Sequence, residues 1–211
     1  MMTLFVRRLL IVALVLSTAS CGNFPICCLI EDRHPEVKSQ SELLFDYRYR
    51  QLIQLDNWKI KGRSVITQGS EGWNVGLKWQ ENTGRYQIKL EGPFAQGGAR
   101  LDGDKELVTL TLNDGQQYSS TTPEELITKI IGWKLPVSAL RYWVRGIPYS
   151  GKSSELMEFN ERGQLIHLVQ DQWDIEFLRY IPFETYSMPA KVFIKHPELS
   201  VKLIITDWDR P

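Results

Sequence analysis

The side chains that could act as nucleophiles, bases or metal ligands are few in this chain, and most are badly placed to act together. Its three histidines are His34, His167 and His196. No two have the spacing of helical metal ligands, and none has a cysteine near enough in sequence to complete a site. Cys27 and Cys28 are neighbours. A disulfide between them would be strained, and two adjacent thiols make neither a disulfide framework nor a zinc site. There is no Gly-x-Ser-x-Gly elbow for a serine nucleophile, and no phosphate loop or dinucleotide fingerprint. The glycine-rich stretch Gly92 to Gly98 lacks the lysine of a phosphate loop. Glu124 and Glu125 form a carboxylate pair, but a helix start accounts for both, because negative charge is favoured there. These residues predict no catalytic centre, no metal and no cofactor, so the chain is not read as an enzyme.

Cys21 is different, because its surroundings give the thiol a task. Arg7 and Arg8 precede an unbroken apolar run, Leu9 to Leu16, and the small residues Ser17, Thr18, Ala19 and Ser20 lead directly to the cysteine. The run is too short to span a bilayer of roughly 30 Å, which takes about 20 helical residues. It has the layout of a removable secretory signal. A cysteine placed just after the cleavage site resembles the bacterial lipobox, in which the thiol is diacylated and the new amine then acylated. Thr18 stands where a leucine is most common. An ordinary signal peptide followed by an incidental cysteine is the other reading. The expected organisation is a leader over 1–20, a lipidated tether over 21–40 and one domain over 41–211.

The chain has 25 basic and 25 acidic residues. Arg7 and Arg8 fall in the leader, so the remainder is slightly acidic. That balance gives no electrostatic case for nucleic acid or for a polybasic membrane contact. Attachment to a membrane is expected to come from lipid or apolar side chains.

The elements that would position any site are mainly strands. Ser39 and Glu42 have the spacing of a capping box. Phe45, Tyr49, Leu52 and Ile53 then recur at helical spacing, predicting a helix through about Leu55. From Trp58 the period changes to two. Trp73 to Trp79 and Tyr86 to Glu91 alternate apolar with polar or small residues, and Asn82-Thr83-Gly84 supplies the turn between them. Leu107 to Leu112 continues the pattern into the hairpin turn Asn113-Asp114-Gly115. A helical insert follows. Thr122-Pro123-Glu124-Glu125 predicts an N-cap, a first-turn proline and a capping-box glutamate. Leu126, Ile127, Ile130 and Ile131 give it an apolar face, and Gly132 ends it. A second short helix is predicted over Pro136 to Arg145, closed by Gly146 and Pro148. Strands resume at Gln164 to Gln170, Trp173 to Tyr180, Ala190 to Lys195 and Val201 to Trp208. The predicted class is mainly β (α+β): one curved antiparallel sheet with helices on its concave side.

Two features remain without a partner. One is the aromatic load of seven tryptophans, eight tyrosines and eight phenylalanines. Such rings bury roughly 150–250 Å² each; they either fill a core or line an apolar cavity for a lipid chain. The other is Phe94, placed by Gly92-Pro93 at a loop tip among Ala95, Gln96, Gly97 and Gly98. Its ring either folds back onto the core or is available to enter a bilayer.

Taken in order, these segments resemble the LolB family of outer-membrane lipoproteins in the Gram-negative lipoprotein-sorting pathway. The resemblance rests on Trp58-Lys59-Ile60-Lys61-Gly62-Arg63 and on the Trp79 and Tyr86 strands running into Gly92-Pro93-Phe94. It continues through Asp114-Gly115, Thr122 to Leu126, Gly132 to Trp143 and Gly146-Ile147-Pro148. Gln172-Trp173, Met188-Pro189 and Trp208 complete it. It implies an incomplete β-barrel closed by helices over a hydrophobic cavity. It also implies a receptor that takes acylated lipoproteins from a periplasmic lipoprotein carrier (LolA-like) and inserts them among outer-membrane lipids. The family's projecting loop carries a leucine after a proline, needed for the membrane step, and the matching pair here is Pro93 and Phe94. Gly22, where an aspartate would signal inner-membrane retention, agrees with an outer-membrane, periplasm-facing anchor on Cys21. Residues expected to face the acyl chains are Trp73, Trp79, Tyr86, Ile88, Leu90, Leu110, Ile130, Leu140, Trp143 and Trp173. A monomer is expected. Without the resemblance, an anchored lipid- or glycan-binding or scaffold lipoprotein with no transfer activity fits the same residues.

Overall fold

Ser39 opens the first helix in the way its spacing to Glu42 predicts. In the computed structural model, which describes residues 38–92 and 98–211, helix α1 spans Gln40–Leu52. The Ser39 amide donates to Glu42 Oε2 at 2.6 Å and the Glu42 amide to Ser39 Oγ at 3.3 Å, so the box closes in both directions. The helix stops short of the expected Leu55. Its end is held from outside, because Arg145 Nη1 donates to the Leu52 and Leu55 carbonyls at 2.8 and 3.0 Å. The predicted leader, Cys21, Cys27, Cys28, His34, most of the tether, Pro93 and Phe94 all lie outside the described residues.

The rest of the chain is one antiparallel sheet with a helical insert. Its first run is β1 (Asn57–Gln68), β2 (Glu71–Asn82), β3 (Arg85–Glu91), β4 (Gly98–Gly103), β5 (Val108–Leu112) and β6 (Gln117–Ser120). Its second run is β7 (Ser154–Phe159), β8 (Leu165–Gln170), β9 (Trp173–Phe183), β10 (Tyr186–His196) and β11 (Leu199–Asp209). Each run is a meander, and the two join where β1 pairs with β11, giving the order β6-β5-β4-β3-β2-β1-β11-β10-β9-β8-β7. β6 and β7 are therefore free edges, and the sheet does not close. The antiparallel, mainly β architecture is the one expected from the alternation, and the unclosed sheet is what the family resemblance implied.

The join between the runs depends on a glycine. The β1–β11 register shifts at Lys61/Gly62, a bulge that sharpens local twist. A Cβ on Gly62 would sit 2.1 Å from the Ile204 carbonyl oxygen. Only glycine admits this approach. The predicted turn at Thr83-Gly84 has φ of 47° and 84°, the left-handed pair that tight hairpins require.

Strands β4 and β7 are not predicted by the alternation. β4 (Gly98–Gly103) offers Leu101 as its only large apolar residue, and β7 has no buried residue at all. A strand with a single large apolar residue, or with no buried face, carries no period-two signal. Several other strands extend beyond their predicted ends.

Between the two edges the chain passes through helix α2 (Pro123–Leu126), a π-helical turn (Ile127–Ile131) and helix α3 (Val137–Trp143). Thr122 is the N-cap and Pro123 follows it, as predicted, but the capping box does not form. Glu125 instead accepts a hydrogen bond from Ser120 Oγ. Glu124 Oε1 accepts from the Ser138 amide at 2.7 Å, satisfying an orphan N–H of α3 instead of its own helix. Gly132, with φ 89°, ends the turn and donates to the Ile127 carbonyl.

The buried apolar residues form one cluster running from Phe45 to Trp208. Trp58 is its centre at one end, with ring centroids 5.5 Å from Trp79 and 5.3 Å from Trp208.

Candidate functional site

Period two along β1 to β3 turns Ile66, Leu77, Trp79, Ile88 and Leu90 to the inner face of the sheet. Ala99 and Leu101 of β4, Leu110 of β5, Ile194 of β10 and Val201 and Leu203 of β11 complete that wall. The insert lies opposite, contributing Ile127, Ile131, Trp133, Leu135, Val137, Leu140 and Val144. Between them is a cavity of about 70 Å³ in which Ser64 supplies the only hydroxyl. A void this apolar has no partners for water and is expected to stay dry, although its volume would admit about five molecules. It accommodates nothing as long as a fatty-acyl chain unless the insert shifts.

Of the residues predicted to face acyl chains, Trp79, Ile88, Leu90, Leu110 and Leu140 are in this wall. The others are elsewhere, for separate reasons. Trp73, the cross-strand partner of Ile66, is on the same inner face but beyond the cavity, its ring 5.3 Å from that of Trp133, which takes the lining position. Ile130 packs against the core but does not line the cavity. The i→i+5 bonding of a π turn widens the helix, so Ile131 stays in register with Ile127 and Ile130 leaves the face an α-helix would give it. Tyr86 lies toward the other end of the sheet, under the Arg141 guanidinium at 4.9 Å. Its hydroxyl is buried without a partner among the described residues, and burial pushes its pKa up. Trp143 and Trp173 pack together at 5.9 Å on the β8–β9 side of α3. There Trp143 Nε1 donates to Gln170 Oε1 at 3.0 Å.

The charges that hold the insert belong to no motif in the sequence. Glu81, only 4% exposed, accepts from Trp79 Nε1 at 3.0 Å and from Arg141 Nε and Nη2 at 2.8 and 2.5 Å. Burial alone would lower the Arg141 pKa, but the Glu81 hydrogen bonds and charge more than reverse this and leave it raised. One turn on, Arg145 has its pKa drawn down by burial while it caps α1. The signal for Glu81 was present, since it lies two residues beyond inward-facing Trp79 in a period-two strand.

The insert is therefore unevenly fastened. α3 is tied to β2 by the Glu81–Arg141 pair and to α1 by Arg145. The contacts of the segment from Ile127 to Leu135 with the sheet include apolar packing and two exposed polar pairs. These are Gln68 Nε2 to the Gly132 carbonyl at 3.4 Å and Lys134 to Glu198 at 2.8 Å. Both lie at the rim, and exposed pairs of this kind contribute little.

An unclosed antiparallel barrel whose apolar interior is covered by a helical segment, with no reacting groups converging on the cavity among the described residues, is the class of architecture this chain presents. Residues 56–208 match the family described as "Outer membrane lipoprotein LolB". Relatives named outer-membrane lipoprotein LolB include one from Nitrosococcus oceani, 32% identical over 83% of this chain and 88% of its own. Another, from Pseudomonas savastanoi pv. phaseolicola, is 39% identical over 75% of this chain and 77% of its own. A third, from Pseudomonas fluorescens, is 31% identical over 97% of both chains. The chain belongs to the LolB family of outer-membrane lipoproteins. Among solved structures, a DUF1329 family protein from Desulfovibrio piger shares the fold, with TM-score 0.57, 6% identity and coverage of 82% of this chain and 94% of that one.

Proposed function

We propose that this protein receives acylated lipoproteins from a periplasmic carrier, holds their acyl chains beneath the insert, and releases them into the outer membrane. The observation that carries the reading is a hydrocarbon-walled cavity whose cover is tied at α3 by the Glu81–Arg141 pair and packs on the sheet largely through apolar side chains from Ile127 to Leu135. Lifting that segment about its π turn, a type of irregularity often found at functional sites, would open the wall between β2–β5 and α3. Entry of chains needs no covalent step and no nucleotide, since each buried methylene gains roughly 0.8 kcal/mol wherever it leaves water. An acyl anchor on Cys21 keeps the cavity beside the membrane and raises its effective concentration there. Pro93 and Phe94 then present an apolar side chain to the leaflet.

The test uses a cargo lipoprotein with a photoreactive acyl chain. Adducts at Trp79 or Leu110 are expected, and their absence favours a scaffold that transfers nothing. In Phe94→Glu the adducts should persist while delivery to vesicles stops. Normal delivery by that variant removes Phe94 from the mechanism.

A further inference from the structure

The balanced net charge hides a segregation by face. The outer side chains of β1 to β4 place Lys61 opposite Lys78, Lys78 opposite Lys89, and Lys89 opposite Arg100. Four cations thus lie in one cross-strand row. At about 4.8 Å per strand the row is roughly 14 Å long. Like charges set directly opposite destabilise a sheet, and here the arrangement is repeated three times in succession. Acids relieve it only in part, and Asp207 of β11 stands opposite Lys61 at the end of the row. Lys78 pairs with Glu91 at 2.6 Å and Arg100 with Asp102 at 2.7 Å, both largely exposed. Lys61 and Lys89 have no carboxylate within ion-pair distance among the described residues. Their side chains, with Lys78 and the Gln80 and Gln87 amides, border a furrow of about 170 Å³.

The same face continues across the join. Lys202 of β11 is paired with outward Val65 of β1 and with Phe193 of β10. The Phe193 ring has the Lys202 and Lys191 ammonium groups 5.2 and 5.8 Å from its centroid. Apolar side chains set among cations match a bilayer surface, where phosphates lie above hydrocarbon. An acidic protein would need the cations but not the exposed Val65.

We propose that this outer face, centred on the Lys61–Lys78–Lys89–Arg100 row, docks on a membrane surface carrying anionic phosphate headgroups. The proposal rests on the transfer reading above, because Lys89 and Arg100 flank residues 93–97, the segment assigned to leaflet contact. Docking would hold that segment against the leaflet, which an anchor on a tether does not do by itself. Each basic residue near an anionic surface improves partitioning about fivefold, and the gain falls with salt.

The processed protein is reconstituted into nanodiscs of phosphatidylcholine, alone or with about a third phosphatidylglycerol. Lysine acetylation is then followed residue by residue. Lys61, Lys78 and Lys89 are expected to react at least fivefold more slowly in the anionic discs, with Lys105, Lys129 and Lys152 unchanged. The protection should vanish near 1 M salt, where the Debye length is about 3 Å. In a Lys61→Gln, Lys89→Gln, Arg100→Gln variant, Lys78 should lose its protection. That variant should melt no lower than the parent, since it removes cross-strand repulsion. Equal protection in both discs, or protection spread over all lysines, overturns the proposal. Stronger protection by polyglutamate than by phosphatidylglycerol discs of matched charge also overturns it, in favour of an acidic protein partner. No cargo is present, so the footprint stands or falls separately from delivery by Phe94→Glu.

Discussion

Ala99→Leu should stabilise the protein and impair it as an acyl-chain receptor. Ala99 is on β4, between Leu90 of β3 and Leu112 of β5, and its methyl group faces the 70 Å³ void. Leucine adds three carbons at a place where the wall already has a gap. At roughly 0.8 kcal/mol per buried methylene the gross gain is about 2.4 kcal/mol. Fixing the leucine rotamer costs about 0.5–1 kcal/mol, leaving about 1.5–2 kcal/mol. For a domain of this size that corresponds to a rise of roughly 3–6 °C in Tm. Thermal unfolding followed by near-UV circular dichroism reads the first effect, and photo-crosslinking of acylated cargo reads the second. A loss of more than about 1 kcal/mol would show that the void cannot receive a side chain from β4. A gain in stability with undiminished crosslinking would show that acyl chains bind elsewhere. The opposed signs matter, because a cavity kept open for a ligand is stability forgone.

Two further outcomes test the anchoring of the cover and the start of α1. Glu81→Gln leaves Arg141 without its charge partner, and since the Arg141 side chain remains 30% exposed the cost should be about 2 kcal/mol, below that of a fully buried pair. Urea unfolding should show this, with a smaller loss when Arg141→Met is added; equal losses would mean the pair is not coupled. The Glu42 carboxyl is held below its ordinary 4.5 by hydrogen bonds from the Ser39 amide and hydroxyl. Because the folded value is depressed, its support for α1 is complete above pH 4.5 and is lost as pH falls through the folded value. Amide exchange in the first turn of α1 should therefore quicken below that pH, and Glu42→Gln should remove the dependence.

The pattern of the chain discloses the inner wall of the sheet better than the cover. Period two needs only side-chain alternation, so Trp79, Ile88, Leu90 and Leu110 are assigned to the inner face from spacing alone. The cover follows no regular period. An α-helical count through Leu126, Ile127, Ile130 and Ile131 puts Ile130 on the wall, whereas the π turn replaces it with Ile131 and brings in Trp133 after Gly132. Glu124 and Glu125 show the same limit. Their spacing to Thr122 specifies a capping box, but Ser138 and Ser120, distant or outside that window, compete for the carboxylates and take them. Trp143 reads as one more apolar helix residue; its indole N–H is committed to Gln170, which is also fully buried. Net charge misleads most, because a sum cannot record that Lys61, Lys78, Lys89 and Arg100 fall on one face in one row.

On the proposed reading, the small volume of the closed cavity helps to set the direction of transfer. Hydrocarbon gains nearly the same free energy in a protein cavity as in a bilayer core, so burial alone cannot drive a chain from one to the other. The difference has to come from the cost of keeping the cavity open. With a chain inside, the segment from Ile127 to Leu135 is lifted and loses its contacts with the sheet, including the tilted Trp73–Trp133 ring pair at 5.3 Å. Once the chain leaves, those contacts re-form and the void shrinks to about 70 Å³. Release is then favoured by the packing recovered, and a bilayer, which needs no opening, becomes the lower-energy host. A cover stabilised too strongly would refuse cargo, and one that did not re-form would retain it. On this reading the exposed rim contacts Gln68–Gly132 and Lys134–Glu198 give way first, while the Glu81–Arg141 anchor keeps α3 in place for the cover to re-form on.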